Sequence, residues 1–220
     1  ASLVRASSEV RRAGRERELL LAGVSHDLCT PLARLRLGLE LEQGIAAPER
    51  ALMIGDVEEM DAIIGQFLDF VRDGRDEEPV TCELSEVLRE LAQASLRTGC
   101  EWELDVPVEC LCIVRPLALR RALSNLMRNA EVHGRAPWRL SMECDPSGPC
   151  IRVRDHGAGL PGEILARAGQ PFLRADSSRS GAGGTGLGLS LVQRVAGAHG
   201  GEVRWRNPAD GGCEVSLWLS

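Results

Sequence analysis

The spacing of apolar residues changes abruptly near residue 75, and this change most constrains what the chain can fold into. Over residues 10–43, leucines recur at spacings of three, four and seven, which predicts a helix with a coiled-coil-like apolar stripe. A similar stripe predicts a second helix over residues 48–72. The charged segment 73–79 contains Gly and Pro, so we place a boundary there and expect domains at 1–75 and 76–220.

The two predicted helices form a helical hairpin, and one hairpin cannot bury both of its apolar stripes. Two hairpins related by a twofold axis can do so as a four-helix bundle, which predicts a homodimer. The stripe residues are Leu21, Leu28, Leu32, Leu35 and Leu39 on the first helix and Val57, Met60, Ile64, Phe67 and Val71 on the second.

The second domain has a mixed pattern of short strands and helices. Strands and helices do not alternate strictly, which favours an α+β layer over a doubly wound sheet. The expected strands lie near 101–105, 109–114, 137–143, 150–155, 202–206 and 213–219, and the expected helices near 84–97, 117–133 and 186–199.

Composition excludes several classes of function. All 26 basic residues are Arg, which rules out a Walker P-loop, a Schiff-base lysine and the protein-kinase lysine. The net charge of −6 argues against nucleic acid as a partner. No apolar run approaches the ~20 residues that span a bilayer, so we expect this stretch to be soluble. We interpret the eight scattered cysteines as reduced thiols of a cytosolic protein, with no paired CxxC motifs to build a zinc site.

Four motifs could carry chemistry. The first is Ser25–Leu32 (SHDLCTPL), in which His26 is off the leucine stripe, Asp27 can accept its proton, and Thr30 shares its helix face one turn on. The second places Asn125 and Asn129 one turn apart on a helix, where both amides can approach a hard cation.

The third motif is Asp155-His156-Gly157-Ala158-Gly159, a carboxylate at a strand end followed by glycines that let backbone pass close to a flat ligand. The fourth is the glycine-rich run at residues 181–188, which opens a helix and offers backbone N–H groups to phosphates. It contains a GxGxxG spacing, but no strand precedes it, so the dinucleotide interpretation fails. Phe172 could anchor a lid over a nucleotide or could belong to the core. Taken singly, each motif also fits a solvated position, an ordinary turn or a flexible loop.

Together and in this order, the motifs resemble the conserved boxes of sensor histidine kinases, and the stretches AGVSHDL, FLRADSSR and GTGLGLSLVQR look especially like EnvZ-type osmolarity sensors. The resemblance implies a Bergerat-fold (GHKL) two-layer α+β sandwich after the helical hairpin. It also implies autophosphorylation of His26 from Mg-ATP, transfer of the phosphoryl group to an aspartate of a response regulator, and phosphatase activity toward that regulator.

The resemblance assigns the site residues as follows. His26 is the phospho-acceptor, Asp27 its general base, and Thr30 positions water for dephosphorylation. Asn129 holds Mg²⁺ with help from Asn125. The remaining nucleotide-binding residues are His133, Asp155, Gly157, Gly159, Phe172, Arg174, Arg179, Gly184, Thr185, Gly186, Leu187 and Gly188.

The chain departs from the family pattern at several positions. Val132 and His133 stand where a basic residue and then an aromatic are usual, His156 replaces an Asn or Asp, and Cys29 replaces an arginine. Val132 and His133 favour one alternative, an ATP-binding scaffold that docks a regulator without turnover. Thr30 favours another, an enzyme in which phosphatase activity dominates. The resemblance further implies the cytoplasmic portion of an inner-membrane receptor, attached to the membrane through an upstream segment.

Overall fold

The computed structural model describes residues 28, 30–42, 44–71, 77–146, 148–173 and 186–220. The described residues fall into two compact units, one that ends with residue 71 and one that begins with residue 77.

The first unit contains two helices, α1 at residues 30–41 and α2 at Ala47–Val71. The turn between them is held by Glu42, whose Oε1 accepts a hydrogen bond from Gly44 N at 2.8 Å. The carbonyl of Glu42 accepts a second one from the Arg50 guanidinium at 2.7 Å. None of the described helices is long and apolar enough to cross a membrane.

The second unit is an α+β sandwich. Its elements in chain order are β1 (Val80–Glu83), α3 (Leu84–Leu96), β2 (Trp102–Asp105), β3 (Leu111–Val114), α4 (Pro116–His133), β4 (Trp138–Asp145), β5 (Gly148–Arg154), α5 (Gly162–Leu165), α6 (Gly188–Ala198), β6 (Glu202–Arg206) and β7 (Glu214–Trp218). A two-stranded antiparallel sheet pairs β1 with β3, and a five-stranded mixed sheet has the order β2-β4-β5-β7-β6, in which only β2 and β4 run parallel.

One hydrophobic core lies between the helices and the large sheet. Helices α3, α4 and α6 each bury one apolar face, as their periodicity predicts. The core residues with no more than 1% exposure include Leu88, Leu119, Leu123, Leu140, Ile151, Leu191, Val192 and Leu217. Helices α4 and α6 carry the asparagine and glycine motifs, so their packing in this core fixes where those motifs lie.

A partly buried polar network joins the start of α4 to the end of α6. The carboxylate of Glu77 accepts hydrogen bonds from Leu117 N and Ala118 N at 2.8 and 2.9 Å, which satisfies backbone donors in the first turn of α4. Arg115 donates through its guanidinium to the Ala198 carbonyl at 2.7 Å. Its backbone N–H donates to His199 Nε2 at 2.9 Å. The two helices are therefore tied together by directional bonds as well as by apolar packing.

The structure corrects our interpretation of the cysteines. Cys110 and Cys144, 34 positions apart in sequence, form a disulfide with a Cα–Cα distance of 6.4 Å. We had expected only reduced thiols, and that expectation is wrong for this pair. Cys82, Cys100, Cys112, Cys150 and Cys213 are free. The structure also adds strand β1 and the short helix α5, which the sequence pattern did not predict.

Candidate nucleotide-binding site

Asn125 and Asn129 lie on the side of α4 that faces the start of α6. The neighbouring face of the helix, which carries Leu119, Leu123 and Leu126, is buried in the core, and the two asparagines at its border are half-buried. The side-chain N–H of Asn125 donates to the Arg121 carbonyl at 3.0 Å, which orients the amide. The amide oxygen is then free of that bond and can accept from, or coordinate, another group.

The first residue of α6 lies directly against these amides. A Cβ added to Gly188 would lie 2.9 Å from Asn125 Oδ1 and 3.7 Å from Asn129 Nδ2. The structure therefore brings the asparagine motif and the end of the glycine-rich motif together, although about 60 residues of sequence separate them. The helix N-terminus adds backbone N–H groups and a partial positive charge to the same place.

Asp155 follows β5 and is buried, with 7% of its surface exposed. Its Oδ1 accepts a hydrogen bond from Gly157 N at 2.7 Å, and its own backbone N–H donates to the Cys213 carbonyl at 3.0 Å. Among the residues that the structure describes, Oδ2 has no hydrogen-bond partner. A buried carboxylate with one oxygen unused can accept a hydrogen bond from a ligand's amino group.

Three glycines allow backbone to pack tightly around this carboxylate. A Cβ on Gly134, just after α4, would overlap the carboxyl carbon of Asp155, and a Cβ on Gly157 would lie 2.8 Å from Gly134 Cα. Gly212 has a φ of 79°, and a Cβ there would overlap the backbone oxygen of Asp155. The ends of α4, β5 and the loop before β7 therefore meet with no room for side chains, and this close packing holds Asp155 in place.

Two hydrogen bonds between the side chain of Asn207 and the backbone of Leu160 fix the position of the adjacent Gly159. Asn207 Oδ1 accepts from Leu160 N at 3.0 Å, and Asn207 Nδ2 donates to the Leu160 carbonyl at 2.7 Å. Gly159 has a φ of 75°, and a Cβ there would lie 2.9 Å from Asn207 Cγ. The loop after Asp155 is thus fixed against the loop after β6.

Phe172 is not a core residue, because 67% of its surface is exposed. Its φ is 62°, an uncommon backbone conformation for a side chain of this size, and its N–H donates to the Gly186 carbonyl at 3.0 Å. A Cβ on Gly186 would lie 2.7 Å from the Leu173 carbonyl. Phe172 therefore lies at the surface and is joined by its backbone to the residues that lead into α6, while Leu187 beside it is buried.

The two histidines that depart from the family pattern lie at the edge of this region. His133 is exposed in the last turn of α4. His156 Nδ1 is 2.7 Å from the Pro137 carbonyl, and its backbone N–H donates to the Arg135 carbonyl at 2.9 Å. His156 is therefore engaged with the turn that follows α4.

Several residues singled out from the sequence lie outside the described residues: His26, Asp27, Cys29, Arg174, Arg179, Gly184 and Thr185. Thr30 is described and is exposed on α1. The sequence did not single out Gly134, Asn207 or Gly212, because their closeness to Asp155 and Gly159 arises only from the folded chain.

Comparison with known proteins identifies relatives that cover most of the chain. Residues 114–220 match the family described as histidine kinase-, DNA gyrase B-, and HSP90-like ATPase. A sensor histidine kinase, GtrS of Pseudomonas aeruginosa, is 34% identical over 93% of this chain and 42% of its own length. The signal transduction histidine-protein kinase/phosphatase MprB of Mycobacterium leprae is 32% identical over 90% of this chain and 41% of its own. The chain therefore spans less than half the length of these two relatives.

A solved structure agrees with the sequence relatives. The histidine kinase domain of the Escherichia coli osmosensor EnvZ is 32% identical, with a TM-score of 0.52 over 65% of this chain and 89% of the EnvZ domain. This match covers most of a solved kinase domain at a level of identity that indicates common descent as well as a common fold.

Proposed function

The chain belongs to the sensor histidine kinase family, and from that premise we propose that it uses Mg-ATP to phosphorylate His26 and then passes the phosphoryl group to an aspartate of a response regulator. The observation that carries the proposal is the meeting of Asn125 and Asn129 with Gly188 at the start of α6. This arrangement combines hard oxygen ligands with backbone N–H groups, which together suit a metal-bound polyphosphate.

The site fits the two parts of ATP at separate places. The unused oxygen of Asp155, held in place by close backbone packing at Gly134, Gly157 and Gly212, suits the amino group of an adenine ring. The amide oxygens of Asn125 and Asn129 suit Mg²⁺, which would supply charge neutralisation at the phosphates. The glycine-rich run up to Gly188, with Phe172 and the arginines Arg174 and Arg179, would cover the phosphates.

The chemistry assigned to the helical hairpin follows from the sequence motif. A ring nitrogen of His26 attacks the γ-phosphorus, the bond to the β,γ-bridging oxygen breaks, and ADP leaves. Asp27, adjacent in sequence, accepts the proton from the imidazole. Phosphoryl transfer of this kind depends on positioning and charge neutralisation, which the nucleotide site can supply.

We further propose that the hairpin forms a homodimeric four-helix bundle. The described part of the hairpin buries few apolar residues within one chain, among them Leu32, Val57 and Leu68. A second copy would cover the stripe residues that are at least 40% exposed in one chain, namely Leu28, Leu35, Met60 and Phe67. As the family resemblance implies, we also propose that the chain is the cytoplasmic portion of an inner-membrane receptor.

Phosphatase activity toward the regulator is the second candidate. Thr30 lies one turn beyond His26 in sequence and is exposed, and MprB carries both activities in its name. A scaffold without turnover is the competing hypothesis, favoured by the exposed Val132 and His133 at the end of α4.

Incubation with γ-labelled ATP tests the proposal. We expect acid-labile, base-stable label on the wild-type chain and none on His26→Ala, with nucleotide affinity equal in the two proteins. Label that persists in His26→Ala would remove the assigned acceptor. Nucleotide binding without label in the wild type, at saturating ATP, would establish the scaffold.

A further inference from the structure

Three cysteine sulfurs come together where the small sheet meets the large one. Cys110 directly precedes β3 and is bonded to Cys144 near the end of β4. Cys112, on β3, has its Sγ 3.8 Å from that of Cys110. The three sulfur atoms all lie within 4.8 Å of one another. None of these residues belongs to the nucleotide site.

One of the three sulfur–sulfur separations suits a thiolate metal site as it stands, and reduction of the Cys110–Cys144 bond would let the other two sulfurs move apart. With Zn–S bonds of about 2.3 Å, tetrahedral geometry sets the sulfur–sulfur separation at about 3.8 Å, which matches the separation of Cys110 and Cys112. Cys112 is two residues beyond Cys110, so the alternation of the extended chain places it on the same face, and its free sulfur is available as a third ligand beside the other two. We propose that the reduced forms of Cys110, Cys112 and Cys144 bind a soft d¹⁰ cation, Zn²⁺ or Cu⁺.

The backbone holds all three sulfurs in place. Cys110 N donates to Glu83 Oε1 at 2.7 Å, Cys112 is in register with Cys82 of β1, and Cys144 is in register with Pro149 of β5. The ligands therefore sit on strands and strand ends rather than on a long loop, which favours a defined geometry over adventitious binding.

The environment of the sulfurs indicates which ions fit and how they enter. The cluster contains sulfur ligands alone, a set that selects soft cations over Mg²⁺ or Ca²⁺. Cys110 is 3% exposed, Cys112 is half-buried and Cys144 is exposed, so an ion can reach the site from the Cys144 side. Cu⁺ needs only the three thiolates, whereas Zn²⁺ would take a solvent molecule as its fourth ligand from that same side.

The disulfide and the metal site are alternative states of the same sulfurs. Two electrons and two protons from a dithiol reductant cleave the Cys110–Cys144 bond to two thiols, and the reductant becomes a disulfide. Binding of one cation then replaces the three thiol protons with three metal–sulfur bonds. In either state Cys110 and Cys144 are held together, and with them the two ends of the segment 110–144 that contains α4.

The test uses the full 220-residue chain, reduced with a phosphine and freed of metal. Zn²⁺ alone and Cu⁺ alone are titrated in separate experiments, each in competition with a chromophoric chelator. We expect one equivalent of at least one ion to bind, and we expect affinity to fall at least ~100-fold in Cys112→Ser and in Cys144→Ser, since each loses a ligand. Cys100→Ser, which removes a free half-buried cysteine outside the cluster, should bind as the wild type does.

Two further measurements keep the outcome clear. Circular dichroism of the reduced proteins separates loss of a ligand from loss of the fold. Substitution with Co²⁺ should give a thiolate-to-cobalt charge-transfer band that is lost in Cys112→Ser. Failure of the folded, reduced wild type to bind either ion would overturn the proposal, and so would unchanged binding in Cys112→Ser or equal binding by the oxidised protein. Because nucleotide binding plays no part in the readout, the result is independent of the kinase proposal.

Discussion

Gly188 lies against the side chain of Asn125: a Cβ at position 188 would come within 2.9 Å of Asn125 Oδ1. The contact is with the movable end of a side chain, and Gly188 is the first residue of α6. An added methyl group can therefore be accommodated if the amide moves away. The fold can therefore accept a methyl group at position 188. The proposed metal and phosphate site cannot, because it needs the Asn125 amide in its present position.

Gly188→Ala should separate nucleotide binding from stability. We expect the free energy of unfolding to stay within about 1 kcal/mol of wild type, because alanine is the better helix former. Displacement of Asn125 should cost about 1–3 kcal/mol of Mg-ATP affinity, the range for a lost polar interaction in a confined site. Gly197→Ala on the same helix is the matched control, since a Cβ there meets nothing within 4 Å. It should raise stability slightly and leave Mg-ATP affinity, measured by calorimetry, unchanged.

Asp155→Asn should weaken nucleotide binding while preserving the fold. The amide oxygen of asparagine can still accept the hydrogen bond from Gly157 N. The NH₂ group of the asparagine then takes the place of the carboxylate oxygen that would accept a hydrogen bond from the adenine amino group. Two hydrogen-bond donors then face each other. We expect an affinity loss of about 1.5–3 kcal/mol for ADP and ATP alike. Asp105→Asn, at an exposed position on β2, is the control. Equal affinity in Asp155→Asn and wild type would contradict the adenine assignment.

Gly212→Ala and Gly211→Ala form a second matched pair. Both glycines have a positive φ, 79° and 95°, so an alanine at either position costs about 1–2 kcal/mol of backbone strain. At position 211 the nearest atom to a Cβ is 3.8 Å away, whereas at 212 a Cβ would overlap the backbone oxygen of Asp155. We therefore expect Gly212→Ala to be the more destabilising in chemical denaturation and to lower nucleotide affinity as well. Equal stability of the two variants would contradict this packing.

Sequence periodicity predicted the helices that pack in the core. The expected helix over 84–97 is α3 at Leu84–Leu96, because strong 3.6-residue spacing leaves little ambiguity. Strand β1 was missed because four residues that are exposed or half-buried carry no alternation, and their strand character comes from pairing with β3. The Cys110–Cys144 bond was missed for a similar reason, since sequence spacing does not give the distance between β3 and β4.

The candidate site was partly predictable. Sequence spacing placed Asn125 and Asn129 on one helix face and Asp155 at a strand end. The contact of the asparagines with Gly188 comes from the folded structure. Their roles toward ATP stay predictions. Gly134 and Gly212 gave no local signal, because a glycine required by close approach of distant backbone looks like any loop glycine until the fold is known.

Acid should weaken the docking of α4 on α6 through His199. Burial lowers the pKa of His199, and the nearby Arg115 guanidinium lowers it further. The unfolded chain therefore binds a proton more readily than the folded one, and stability is lost as pH falls through the ordinary histidine pKa of about 6.5. We expect the free energy of unfolding to decline between about pH 7 and pH 5. In His199→Gln, whose side-chain oxygen can accept from Arg115 N, that part of the decline should disappear. An identical pH profile in the variant would exclude His199 as its cause.

Thr30→Ala should separate two activities of the helical hairpin. Thr30 is exposed at the start of the described part of α1, one turn beyond His26 in sequence and too far along to take the histidine's proton. A hydroxyl there can hold water in line with the acyl phosphate of a docked regulator, so its loss should abolish dephosphorylation and spare autophosphorylation. If Thr30 instead stabilises the helix before Pro31, both activities should fall together with thermal stability. Autophosphorylation, regulator dephosphorylation and Tm measured on one preparation distinguish these outcomes. Thr30→Ser, which keeps the hydroxyl, should retain both activities, and loss of phosphatase activity in that variant would refute the water-positioning role.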